Sequence, residues 1–353
     1  MTKVLVIATS RKTRGGITSV VLAHEKGQQW KDFHCRWLET HRDGAIWVKL
    51  MYMVKAFLLG TLLIPQYDIL HIHLSEPPSA LRKLPFMWWA KVWGKKTIIH
   101  FHSFSIETTL NSKWAWLYRY HFEKTDRLIT LSNYWKHECG KFIGSCQKVI
   151  VIYNPCPTKE RPNASEDLID EMQNKVILYA GTVNPRKGYA DLIKAFSKIA
   201  KEHKDWSVVF AGNGELQKGQ KLTAEYGISE QTMFLGWCSG EKKDRAFSGA
   251  SIFCLPSYAE GFPMAVLDAW AYGLPVVTTP VGGIPDIADD GNNMLLFQPG
   301  DIDKLAECLN RMISDSELRK RISKESVQLS TTMFNINTIN HQIGELYKDL
   351  SLC

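Results

Sequence analysis

Glu260 and Asp268 stand eight residues apart in the stretch 256–269, on either side of Pro263. The stretch follows an apolar run and opens a helical one. Pro263 suits the first helical turn, where its missing N–H would have no partner in any case. The N–H groups of Met264 and Ala265 then point out of the helix start, at the positive end of its dipole. Such an end is a ready seat for an anion, and a diphosphate fits it. Glu260, just before, is placed to accept hydrogen bonds from sugar hydroxyls. Asp268, in the second turn of the helix, could grip a ribose diol with both oxygens. Taken alone, the stretch also reads as a plain strand-to-helix turn with a capping glutamate.

Other loops repeat the theme. Residues 181–188 follow a strand candidate, open a helix and carry Arg186 and Lys187, two cations suited to a phosphate. Gly212 to Glu215, Gly236 with Trp237, and Gly282 with Gly283 each follow another strand candidate. Loops at the carboxyl ends of parallel strands face one crevice. In the first half, Gly15 and Gly16 lie between a strand and a helix, and paired glycines let backbone approach a ligand closely. His71 and His73 end one strand candidate, His100 and His102 another. Residues i and i+2 share a strand face, so each pair could in principle hold a metal. No acidic or cysteine ligand stands beside them in sequence, and the expectation is that no metal is held.

Positioning these side chains takes two sheets. Strands are expected at Val4–Ala8, 34–38, 67–74, 97–102, 127–131 and 149–153, then at Val176–Ala180, Ser207–Ala211, 233–235, 251–255, 275–278 and 294–297, with helical patterns between them. That alternation predicts two α/β sandwiches, each a doubly wound, mostly parallel sheet, with a cleft between the domains. The expected division is a first Rossmann-like domain over 1–155 that binds the acceptor, a linker over 156–174 marked by Pro157 and Pro162, and a second over 175–333. A C-terminal helix over 334–353 shows Ile336, Ile339, Ile343 and Leu346 at helical spacing, packed on the second domain or back on the first.

With these loops in this order, the chain resembles the family 4 retaining glycosyltransferases of GT-B fold, in the bacterial polysaccharide-biosynthesis branch. The match is close over about 175–300. The family's pair of acidic residues eight apart is Glu260 and Asp268 here, the second one methylene shorter than usual, and Thr182 stands where an arginine is usual. The resemblance implies that Glu260 contacts the donor sugar, Asp268 the ribose and Lys187 the diphosphate. Gly236 and Trp237 would border the nucleobase, with Gly261, Phe262, Met264 and Ala265 forming the donor loop. Arg186 would replace the missing charge, Gly15 and Gly16 would lie near donor phosphate and acceptor, and His102 near the transferred sugar. The implied reaction is retaining transfer of a hexose from a nucleotide diphosphate sugar to a hydroxyl of a saccharide or lipid-linked saccharide. Glu260, His102 and Lys187 carry it, with no cofactor and no metal.

Composition agrees with a globular chain: 45% hydrophobic and 22% charged residues over 353. The eight cysteines include no Cys-x-x-Cys, which fits reduced thiols and a cytoplasmic protein. The run Val4–Ala8 is too short for a signal-peptide core. Charge is uneven. Residues 1–100 hold 15 basic and 6 acidic side chains, against 28 and 30 in the rest, and nine of twelve tryptophans precede residue 136. A basic, aromatic first half suggests contact with an anionic membrane at its inner face. The apolar stretch 47–64, interrupted by Lys49 and Lys55, is expected to be a packed crossover helix. Two other functions fit parts of the pattern. A nucleotide-sugar 2-epimerase of GT-B-like fold would need acid–base groups such as the four histidines. A nucleic-acid-binding protein would use the basic half, but no binding motif accompanies that charge, and no nucleic-acid partner is expected.

Overall fold

Strands covered on both faces read as near-continuous apolar runs. In the computed structural model, which describes residues 2–157 and 175–352, those runs form two parallel sheets. The first comprises β1 (Val4–Ala8), β2 (Arg36–Glu39), β3 (Ile69–Leu74), β4 (Lys96–Phe101), β5 (Arg127–Thr130) and β6 (Val149–Val151), in the order β2-β1-β3-β4-β5-β6. The second comprises β7 (Val176–Ala180), β8 (Ser207–Ala211), β9 (Thr232–Gly236), β10 (Ile252–Leu255), β11 (Val276–Thr278) and β12 (Leu295–Leu296), in the order β12-β11-β10-β7-β8-β9. Every neighbouring pair is parallel and helices connect them, the doubly wound arrangement expected. The strand anticipated at 34–38 begins two residues later. His34 takes a left-handed φ of 43°, closing the turn that ends the preceding helix, and cannot join an extended ladder.

The chain divides into two units, Met1–Pro155 with Ile336–Cys353, and Cys156–Asn335. Of the expected linker, residues 158–174 lie outside those described. Cys156 is buried in the second unit, where its N–H donates to the Phe334 carbonyl at 2.8 Å. Phe334 itself packs against Phe262 and Trp270, both at 5.2 Å. The helix Ile336–Leu352 then belongs to the first unit. Its stripe Ile339, Ile343, Leu346 and Leu350 lies on the sheet face formed by Val4, Val6, Ile69 and Ile98. The alternate residues Leu5, Ile7, Leu70, Ile72 and Ile99 line the opposite face. Side chains of that size are worth about 1.5–3 kcal/mol each when fully buried.

The helix Ile46–Leu63 does cross from β2 to β3, but it is not the well-packed helix its apolarity suggested. Only Ala56, Gly60 and Leu63 are buried. Gly60 meets Phe86 so closely that a Cβ would lie 2.7 Å from its ring. Ile46, Trp47, Leu50, Met51, Val54, Phe57, Leu58 and Leu62 are exposed.

Candidate active site

In the second sheet, β8 and β9 continue on one side of β7, and β10, β11 and β12 on the other. The order therefore reverses between β7 and β10, leaving a crevice outside their carboxyl ends. Two loops border it, 181–188 after β7 and 256–263 after β10. They are joined by a backbone bond from Tyr258 N–H to the Arg186 carbonyl at 2.8 Å. Two glycines permit this approach. At Gly188, φ is +68° and a Cβ would sit 1.9 Å from the Pro256 carbonyl oxygen. At Gly282, φ is +62° and a Cβ would sit 2.3 Å from the Glu260 carbonyl oxygen.

The loops bring Glu260, Arg186 and Lys187 together. Glu260 is 8% exposed. Its Oε1 accepts from Lys187 Nζ at 2.5 Å and from Ser257 Oγ at 2.7 Å. Its Oε2 lies 3.6 Å from Arg186 Nη1, which also donates to the Ala259 carbonyl at 2.6 Å. Arg186 thus turns toward the carboxylate. The Lys187 backbone N–H is fixed in turn by Asn184 Oδ1 at 3.0 Å. A buried carboxylate needs such partners, since its desolvation is otherwise costly. Tyr179 beneath the loop keeps its proton: burial, and secondly the Glu260 charge, push its phenol well above the usual range, and it donates to the Thr182 carbonyl at 2.8 Å.

The helix Met264–Ala271 begins one residue after Pro263, which takes the cap position, and no side chain caps it. Met264 and Ala265 are half-buried there, while Gly261 and Phe262 are buried. The Phe262 ring packs inward on Phe334, so its contribution to a ligand would come from backbone. Asp268 accepts from Lys243 Nζ at 2.7 Å, and a two-oxygen grip on a ribose would compete with that lysine. Trp237 is 40% exposed beyond β9. Three strand spacings, about 14 Å, separate β9, which Trp237 follows, from β10, which Glu260 follows.

Gly15, Gly16 and His102 lie in the first unit. Its strand order reverses between β1 and β3, and Gly15, at φ 143°, caps the helix Gly16–Glu25 that follows β1. Both glycines are exposed. His102 follows β4, with Nε2 2.9 Å from His73 Nδ1. Burial, then Lys83, depresses its pKa to about 3, so its imidazole is neutral at pH 7.

Two partners escaped the sequence reading. Ser257 stands three residues before Glu260, a signal that was present. Lys243 is 25 residues before Asp268, and no spacing rule points to it.

The family model described as glycosyl transferases group 1 matches residues 160–328, and that described as glycosyltransferase family 4 matches 6–160. An uncharacterised glycosyltransferase of Methanocaldococcus jannaschii is 28% identical over 63% of this chain and 60% of its own length. The UDP-Gal:α-D-GlcNAc-diphosphoundecaprenol α-1,3-galactosyltransferase of Escherichia coli is 26% identical over 90% of this chain and 82% of its own. The crystal structure of Anabaena HepE with UDP-glucose matches with a TM-score of 0.78 at 18% identity, over 99% of this chain and 100% of that one.

Proposed function

The chain belongs to glycosyltransferase family 4, its two models together taking in residues 6–328, and from that premise we propose that it transfers a hexose, with retention, from a nucleotide diphosphate sugar. The observation that carries this reading is the buried Glu260 held by Lys187 and Arg186 at the crevice of the second sheet. In the reaction, the bond from the anomeric carbon to the diphosphate oxygen breaks. The acceptor oxygen bonds to the same face, and its proton passes to the departing oxygen. The side chains position the reactants and stabilise charge that develops on the leaving group. Lys187, Arg186 and the N–H groups at Met264 and Ala265 supply that stabilisation, so the step calls for no metal. Glu260 orients the sugar. The UDP-glucose bound by HepE and the UDP-galactose in the name of the E. coli relative support a uridine nucleotide.

The acceptor in this reading is a lipid-linked saccharide in surface polysaccharide assembly, met at the inner face of the cytoplasmic membrane. The lipid diphosphate acceptor of the E. coli relative supports it, as does the exposed apolar helix Ile46–Leu63 with Lys49 and Lys55. That helix is long and apolar enough to cross a membrane. Both its ends feed strands of one sheet, however, which suits lying in the interface rather than spanning. Glu260→Ala should abolish transfer while leaving the far-UV spectrum unchanged. Unaltered turnover, or product of inverted anomeric configuration by NMR, would overturn the proposal. Donor incubated without acceptor should keep its sugar unchanged, whereas an epimerase would convert it.

A further inference from the structure

The first sheet carries a column of histidines on the face beneath the helix Ile336–Leu352. His71 and His73 alternate along β3 with Leu70, Ile72 and Leu74, which line the other face. His73 pairs in register with His100 of β4, so their side chains share a face. The rings of His71, His73, His100 and His102 stack, with centroids 4.3–4.8 Å apart from one to the next. His24, from the helix Gly16–Glu25, lies over them at 6.4 Å from His73 and 6.1 Å from His100. His24, His71, His73 and His100 are all at most 3% exposed.

Their hydrogen bonds are incomplete at three of the four rings: His71 uses both nitrogens, its Nε2 meeting His100 Nδ1 at 3.3 Å, while His73 is held only at Nδ1, by His102 Nε2 at 2.9 Å. His71 Nδ1 meets Tyr347 Oη at 2.6 Å, and His24 Nδ1 meets Asn340 Oδ1 at 2.8 Å. The Asn340 amide is fixed independently, its oxygen accepting from Gln29 Nε2 and its nitrogen donating to the Ala23 carbonyl. The acceptor at Asn340 therefore faces His24 Nδ1–H, which leaves Nε2 of the neutral ring as a lone pair. Among the described residues, the Nε2 atoms of His24, His73 and His100 are buried and without a partner. An orphaned buried polar atom is costly, and three facing one another call for a shared occupant. His24, His73 and His100 are thus each held at Nδ1 with Nε2 open, the way a metal-bound histidine is oriented by its outer partners, and His71 Nε2 would exchange His100 Nδ1 for the ion. His71, His73 and His100 each offer a ring nitrogen within 4.8 Å of the others. Two imidazoles sharing a zinc ion, at Zn–N of about 2.1 Å, bring their ring centres to roughly 5 Å.

We propose that His71, His73 and His100 form a structural site for a transition ion of the zinc class, with His24, whose Nε2 is open above them at 6.1–6.4 Å between ring centres, drawn in as the fourth imidazole when the ion binds. The ion ties the helix Gly16–Glu25 to the first sheet. The polar groups acting on these imidazoles are one another, His102, Asn340 and Tyr347, with Lys83 beyond at His102, and no carboxylate is among them. An all-nitrogen donor set of this kind suits zinc, cobalt, nickel or copper and not magnesium or calcium. The site is separate from the donor loops of the second unit and does not depend on the glycosyl-transfer reading.

The test uses the untagged full-length chain, expressed with zinc or cobalt in the medium so that the ion is present as the chain folds. Elemental analysis after dialysis should find about one ion per chain, and the cobalt form should show the intense visible bands of tetrahedral coordination. His73→Asn with His100→Asn should abolish both. His121→Asn, a buried histidine outside the cluster, should change neither. His24→Gln leaves the sheet intact and should weaken retention against a competing chelator by roughly tenfold or more. A wild-type chain with no ion and no cobalt bands overturns the site and shows instead that ordered water or nothing fills it. Retention unchanged in His24→Gln removes the fourth ligand, and retention unchanged in the double variant overturns the whole assignment.

Discussion

Removing either partner of the Lys187–Glu260 pair should cost stability that removing both partly restores. The two side chains are 13% and 9% exposed and 2.5 Å apart. Opposite charges near a protein surface attract by about 4 kcal/mol at 4 Å, before desolvation is subtracted. Lys187→Met leaves Glu260 with Ser257 and with Arg186 at 3.6 Å, so part of the compensation survives. The expected loss is about 1.5–3 kcal/mol, below the full penalty for breaking a buried pair. Glu260→Gln leaves two cations facing a neutral amide and should cost about 1–2 kcal/mol. In the double variant the losses should fall short of additive by about 1–2 kcal/mol, the coupling of groups in direct contact. Urea unfolding followed by the fluorescence of Trp206, Trp237 and Trp270, all in the second unit, measures each term. In the transfer assay, Lys187→Met should lower kcat/KM by about 100- to 1,000-fold, and the double variant by much less than the product of the single losses. A coupling energy below about 0.5 kcal/mol would mean the contact is not formed in solution, and the charge arrangement argued for the crevice would be wrong.

Three further outcomes are expected. Gly188→Ala should destabilise the second unit by about 2–4 kcal/mol, because it adds left-handed strain to a backbone collision; an unchanged urea midpoint would contradict the loop contact. Lys83 is fully buried, and burial, then Arg82, lowers its pKa to about 7. Between about pH 10.5 and 7 the unfolded chain therefore holds a proton the folded chain lacks, and stability falls as pH drops through that window. Lys83→Met should raise stability at pH 7 by about 1–4 kcal/mol, with the gain vanishing toward pH 10.5, as thermal unfolding across pH would show. Trp47→Glu with Leu58→Glu, at side chains 65% and 59% exposed, should abolish flotation with anionic vesicles while leaving transfer to a water-soluble acceptor intact. Flotation that persists would locate the membrane contact elsewhere.

The twelve strands of the described residues were legible in the sequence, most of them because a strand buried on both faces cannot carry polar residues freely, so that apolar runs such as Val4–Ala8 and Ile252–Leu255 stand out from the amphipathic helices. Their ends were less so: nothing in the composition of 34–38 reveals that His34 adopts a left-handed turn. The loop chemistry at Glu260 could be read from spacing, since the stretch 256–269 is local. Its partner Lys187, 73 residues away, became a contact only through the placement of β7 beside β10, which spacing does not state. Lys243 against Asp268, and Asn340 and Tyr347 against His24 and His71, are long-range in the same sense. The helix Ile46–Leu63 shows the opposite failure. Its composition was plain, but apolarity reports only a preference to leave water, and most of its large side chains find no protein to cover them.

The structure of the chain crystallised with UDP tests the central claim most directly. The diphosphate should lie within hydrogen-bond reach of Lys187 Nζ and the N–H groups of Met264 and Ala265, with Arg186 or Lys187 drawn from Glu260 toward it. A diphosphate bound away from the loops 181–188 and 256–263, with the Lys187–Glu260 contact undisturbed, would contradict the account.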